Sequence, residues 1–377
     1  MLKVAFIDDG IMDEIEEAPK QTKKFSTRDG KILEKRRIPG AAFCLSHGTM
    51  CFWVFSEYIA CKEYILYDIQ ILNEFTSRGS WHDLVKALQF CLDEEVDLIN
   101  MSLGQTNFIN DEANDLLKKL YNRGTIMIAA QNNNNQVTYP ACSPYVLGVT
   151  RDYGDILKKD QFCYLDNINE KIDIISHCDF SGIEKKHNIL MGKQNSFSAP
   201  YISAIIYNQM QKGKKREDIY RFLKESSSYI DEIRLWEYKV KSIPEWQEEI
   251  TAPVVCIEVD SSNLQKYFIE IVKNFRREEF HAVGIWISDE QIENLPYFFE
   301  YPIKKYTEND ISRIVEWVFN ITKADIIFIG YDCESIPECS DTIDLILTDR
   351  IQNGEGILST NGKNILQITE MVLSYFE

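Results

Sequence analysis

The strongest constraint on this chain is a switch of hydrophobic period that recurs along it. Residues 2–7, 97–101 and 125–130 are short apolar runs with the text of buried strands, whereas residues 81–93 and 111–121 space their apolar side chains three and four apart, as helices do. A further helical run follows His47 (Met50, Phe52, Phe55, Tyr58, Ile59). Strand, helix, strand in succession predicts an α/β fold in which a parallel sheet carries helices on both faces. In such sheets the chemistry gathers where strands end and helices begin. The pattern restarts with strands at 253–259, 282–288, 325–330 and 344–347 and helices at 263–277, 309–323 and from 364 onward. A chain of 377 residues exceeds what one core usually organises, so the restart marks a second, smaller α/β domain. The text between them has little periodicity and reads as a connector. The expected organisation is a domain at 1–228, a linker at 229–250 and an accessory domain at 251–377.

Charge removes several classes of partner. With 41 Lys and Arg against 59 Asp and Glu, the formal net charge is -18. A phosphate backbone must be met by a basic surface, so nucleic acid is not expected as a partner. No stretch approaches the ~20 apolar residues of a membrane span, so no membrane is expected either. The N-terminal Met1-Leu2-Lys3-Val4-Ala5-Phe6-Ile7 reads as a strand rather than as a signal peptide. Ten scattered cysteines without a CxxC pair read as reduced packing residues. Together these features predict a cytoplasmic protein. Residues 251–377 hold 22 acidic and 10 basic side chains, whereas residues 20–37 concentrate eight cations between Lys20 and Arg37. That basic run is expected to form a solvated hairpin turning at Arg28-Asp29-Gly30, able to meet an acidic partner.

Three segments place a catalytic residue type at the end of a strand or helix. Phe6-Ile7-Asp8-Asp9-Gly10 closes an apolar strand on a carboxylate, Ser46-His47-Gly48-Thr49 opens a helix with a histidine, and Asn195-Ser196-Phe197-Ser198-Ala199-Pro200 puts a serine ahead of another helix. Taken singly, each residue has a structural role: turn former, first helical residue, helix cap. Taken together they supply one chemistry. A serine hydroxyl is a poor nucleophile until an imidazole takes its proton, and an imidazole does so well when a carboxylate fixes its tautomer. Asp8, His47 and Ser196 fill those three roles. The other histidines, His82, His177, His187 and His281, lack partners at metal spacing and receive no role.

On these segments the chain resembles the subtilisin-like serine proteases over about residues 1–228. The aspartate, histidine and serine motifs are joined by Ile99-Asn100-Met101-Ser102-Leu103-Gly104, similar to the strand with which that family holds substrate backbone. Ile128-Ala129-Ala130-Gln131-Asn132 is similar to the strand that ends in its oxyanion-hole asparagine, and Tyr139-Pro140-Ala141 and residues 171–175 also fall where the family would have them. The resemblance implies that Asp8 orients His47, that His47 is general base and then general acid, and that Ser196 attacks the scissile carbonyl. Asn132 and the Ser196 N–H would hold the oxyanion, with Asn133 the alternative register in a run of four asparagines. Ser102, Leu103 and Gly104 would pair with an extended peptide or protein substrate as an added strand. Gln131 stands where the family usually has glycine, Asn195 where it has threonine, and Met50 where histidine is common. With so short a text before Asp8, the inhibitory propeptide of secreted relatives is not expected. No acidic loop requires the calcium that many relatives bind, and no metal or cofactor is expected.

The second domain opens with a strand, loop and helix layout similar to a phosphate-binding P-loop. Asp260 and Gln265 occupy its two glycine places and Tyr267 the place of the Mg²⁺-binding hydroxyl, so the loop is degenerate. This domain is expected to bind a partner protein rather than a nucleotide. The whole chain reads as a cytosolic endopeptidase with limited targets, such as the leader of a ribosomally made natural-product precursor. The competing reading is a catalytically silent scaffold that uses the protease fold to bind peptide.

Overall fold

The computed structural model describes residues 1–13, 15–28, 31–34, 45–73, 76, 78–106, 110–134, 136–165, 172–229, 249–258, 261–288, 292, 295, 297–301, 308–331, 342–349 and 356–376. The chain divides into two units, one built from Met1–Asp166 and Lys171–Ser242 and the other including Ile243–Glu377.

Strand β1 (Leu2–Asp8) organises the first unit. Its apolar residues are buried on both faces, as in a parallel strand covered twice. Alternation along the strand sends Val4 and Phe6 into one core with Phe52, Phe55, Ile202 and Ile206. Ala5 and Ile7 point into another with Leu84, Leu88 and Leu117. The remaining strands are β2 (Gln21–Arg28), β3 (Lys31–Glu34), β4 (Tyr64–Gln70), β5 (Leu98–Met101), β6 (Ile126–Ala130), β7 (Leu147–Arg151), β8 (Phe162–Tyr164) and β9 (Ile174–Ser176). They form a nine-stranded sheet in the order β3-β2-β4-β1-β5-β6-β7-β9-β8. Every pairing is parallel except the two outermost, β2 with β3 and β8 with β9. Helices α1 (His47–Tyr58), α4 (Ser181–His187), α5 (Asn195–Gln211) and α6 (Arg216–Glu225) pack on one face, and α2 (Trp81–Asp93) and α3 (Asp111–Arg123) on the other. This is the α/β architecture that the alternating periods predict. Because β1, β5 and β6 are neighbours running the same way, Asp8 closes its strand and Ser102 and Asn132 follow theirs at the same end of the sheet.

Two departures from the sequence reading bear on the site. Strand β4 was not anticipated: its apolar alternation is interrupted by Asp68, which is nevertheless buried and accepts the Ile11 N–H at 3.0 Å. The basic hairpin forms, with Thr27 opposite Ile32, but Lys24 is no solvated cation. Its ammonium is folded inward, 2.8 Å from Asp13 and 3.7 Å from Asp68, and donates to the Ile11 and Met12 carbonyls. A buried carboxylate in a strand costs several kcal/mol unless it is paired, and Lys24 supplies the pairing. Lys35, Arg36 and Arg37 lie outside the described residues.

The second unit contains β10 (Val254–Glu258), β11 (Ala282–Ile287), β12 (Phe298–Tyr301), β13 (Ile326–Tyr331), β14 (Leu345–Thr348) and β15 (Ile357–Ser359). They make a six-stranded sheet, β12-β11-β13-β10-β14-β15, with all pairings parallel. Its core joins Phe268 and Phe275 of α7 (Ser261–Arg277) to Ile368 and Val372 of α9 (Ile365–Phe376), while α8 (Glu308–Thr322) follows β12 in the chain. Asp260 lies outside the described residues. The Tyr267 hydroxyl donates to the Lys363 carbonyl at 3.3 Å. Among the described residues no helix is long and apolar enough to cross a membrane.

Candidate active site

Two adjacent carboxylates at the end of β1 build the site around the start of α1. Asp8 is 1% exposed, and its carboxylate lies 3.0 Å (Oδ1) and 3.1 Å (Oδ2) from His47 Nδ1. Asp9 turns the other way and accepts the backbone N–H groups of His47 (3.0 Å) and Gly48 (2.7 Å), free donors of the first helical turn. Ser46 caps the same turn, accepting from the Thr49 N–H and donating to the Gly10 carbonyl at 2.6 Å. A side chain at Gly48 would meet the Gly10 carbonyl at 2.7 Å, so only glycine allows so close an approach. Burial and the Asp8 charge push the Asp9 pKa up, and the two helix N–H groups pull it back down.

These contacts also set the charge of the imidazole. Burial of the His47 ring opposes its protonation, but the neighbouring Cys51 sulfur and the Asp8 carboxylate outweigh it, and the pKa rises above the ordinary 6.5. Cys51 is fully buried, and burial pushes its own thiol pKa up. Cys51 follows His47 by one helical turn on the same face, 3.8 Å from Nδ1. The donor atoms of Asp8, His47 and Cys51 lie within 4.8 Å of one another, with Asp8 and Nδ1 bonded to each other.

Ser196 stands in the first turn of α5 and is 7% exposed. The helix begins at Asn195, which puts Pro200 inside it. Proline has no N–H to give the carbonyl four residues back, and here that carbonyl belongs to Ser196. Two side chains replace the missing donor: the Ser102 hydroxyl at 3.0 Å and the Cys51 thiol at 3.4 Å. Ser102 is in turn held by Asn100 Nδ2 at 3.1 Å. The Phe197 ring packs against His47, with centroids 5.5 Å apart. The Ser196 hydroxyl itself donates to Gln194 Oε1 at 3.3 Å.

Asn195 fastens this turn to the ends of β6 and β7. Its Nδ2 donates to the Asn132 carbonyl and the Tyr153 hydroxyl, and its Oδ1 accepts the Arg151 N–H at 2.8 Å. The asparagine run divides into two different roles. Asn132 spends its side chain on its own turn, accepting from the Asn134 and Gln136 N–H groups and donating Nδ2 to Gln136 Oε1 at 3.0 Å. Asn133 instead accepts the Asn195 N–H on Oδ1 at 2.8 Å, beside Ser196, and its Nδ2 has no protein acceptor among the described residues. Sequence could not separate these two neighbours, because only their hydrogen bonds differ.

One cleft of about 530 Å³ is lined by Asp8, His47, Ser196, Asn132 and Asn133, together with Ser102, Leu103 and Gly104. Every sequence-predicted site residue therefore reaches the same cavity. Residues 102–104 continue past the end of β5 outside the strand, and a side chain at Gly104 would strike Thr138 Cγ2 at 2.1 Å. Ile71, Leu72, Trp81, Leu84 and Tyr139 give the cleft an apolar wall, beside which Arg78 also lines it.

A parallel α/β unit of this design resembles the subtilisin-like serine proteases, and a curated protein carries the same likeness. The major intracellular serine protease of Bacillus subtilis (strain 168) is 24% identical over 176 residues, which make up 44% of this chain and 52% of that protein. The chain thus spans about half the length of the curated relative it matches. No protein-family model matches. Similar solved structures include the prenylagaramide maturation protease PagA, with 18% identity, 64% of this chain and 81% of that chain covered, and a TM-score of 0.40. A cold-adapted subtilisin-like serine proteinase has 16% identity, covers 62% and 85% respectively, and has a TM-score of 0.45.

Because Asp8 is one of the groups that raise the His47 pKa against the effect of burial, Asp8→Asn is expected to lower it. An NMR titration of the imidazole measures it; an unchanged midpoint would contradict the assigned cause.

Proposed function

We propose that the first unit is a serine endopeptidase with Asp8, His47 and Ser196 as its triad. The observation that carries this reading is the buried Asp8–His47 hydrogen bond, which shares one cleft with a serine in the first turn of a helix. Asp8 accepts the Nδ1 proton and so leaves Nε2 as the base. Nε2 takes the Ser196 proton as Oγ attacks the scissile carbonyl, then returns it to the departing amine; water repeats the sequence on the acyl-enzyme. The oxyanion is held by the Ser196 N–H and Asn133 Nδ2, in place of the Asn132 that the motif alignment favours. Residues 102–104 pair with the substrate backbone. The similarity to a protein named as an intracellular serine protease supports hydrolysis and a cytoplasmic setting. We read the substrate as a discrete peptide, such as a ribosomal natural-product precursor, since a cleft with both an apolar wall and a cation is suited to selective recognition.

A fluorophosphonate probe is expected to label the wild-type protein and leave Ser196→Ala unlabelled. A wild type that never reacts would favour the silent scaffold. Asn133→Ala is expected to lower kcat by about 10²–10³, and Asn132→Ala by much less; the reverse order would return the oxyanion role to Asn132. Digestion of a diverse peptide library, read by mass spectrometry, is expected to yield few cleavage sites with a shared side-chain pattern. Indiscriminate cleavage would exclude the processing role.

A further inference from the structure

Gln194 sits immediately before α5 with an extended backbone (φ -130, ψ 145), the place where a polar side chain normally caps the first helical N–H groups. Its side chain makes no such cap bond. It lines the cleft instead, and its Oε1 receives the Ser196 hydroxyl at 3.3 Å. A hydroxyl has one proton. While Ser196 gives that proton to Gln194 it cannot give it to His47 Nε2, and among the described residues the imidazole is bonded to Asp8 and to the Cys51 sulfur.

We infer that Gln194 is a positioning residue that biases the resting Ser196 hydroxyl away from its base and releases it more fully when a peptide enters the cleft. The inference rests on the serine-hydrolase reading. The carboxamide competes with the imidazole for one proton, so the free enzyme is restrained without any covalent change. On binding, an incoming backbone displaces the carboxamide, and the hydroxyl turns to Nε2. A neutral hydrogen bond of this kind contributes enough to slow the reaction of the free enzyme by about two- to tenfold.

The test is the second-order rate of fluorophosphonate labelling for wild type, Gln194→Met, Gln194→Ala and Gln194→Glu, with thermal melting of each. Methionine keeps the length and removes the acceptor, and alanine removes both. Both variants are expected to label about two- to tenfold faster with unchanged melting. Glutamate, a stronger acceptor, is expected to label more slowly. A purely structural Gln194 predicts the opposite sign, a loss of rate in the methionine and alanine variants. Equal or slower labelling of both would overturn the inference while leaving the hydrolase reading intact. A wild-type Ser196 that never reacts would sink that reading itself.

Discussion

The first unit depends on how two neighbouring negative charges are kept at the buried end of β1. Removing a carboxylate from water costs several kcal/mol, and two in sequence also repel each other. The start of α1 answers both: its backbone N–H groups receive Asp9 and its first side chain receives Asp8. Strand and helix are therefore locked in one relative position, with Gly48 permitting the close approach. His47 is aimed by the same contacts that make the burial of Asp8 tolerable, so the geometry of the imidazole is a condition of folding as much as of chemistry.

Much of this was legible beforehand. The strands and helices that carry Asp8, His47 and Ser196 have strong periods, and the three residues stand at element ends where an α/β sheet keeps its chemistry. What escaped the sequence was decided by long-range partners. Strand β4 was masked by Asp68, whose compensation comes from Lys24 on another strand, and Lys24 looked like a surface cation for the same reason. Cys51 looked like ordinary packing, although its helical spacing from His47 was a usable signal. The choice between Asn132 and Asn133 turns on which amide Asn195 engages, a contact across more than sixty intervening positions that no local pattern encodes.

The two units show how differently sequence and structure speak about the same architecture. In the first, polar side chains gather at strand ends and bond to one another across elements. In the second, the parallel sheet is equally regular, yet the segment that would cradle phosphate lacks glycines, and the Tyr267 hydroxyl is turned to a backbone carbonyl. The fold alone therefore does not define what a unit does; the groups at its strand ends do.

Pro200 has a consequence that reaches past its own helix. By withholding one donor it makes the main chain of Ser196 a junction, tied through Ser102 to the segment beyond β5 and through Cys51 to α1. Substitutions at those distant anchors are thus transmitted to Ser196 as changes of aim, and a chain that still folds soundly can lose its marksmanship.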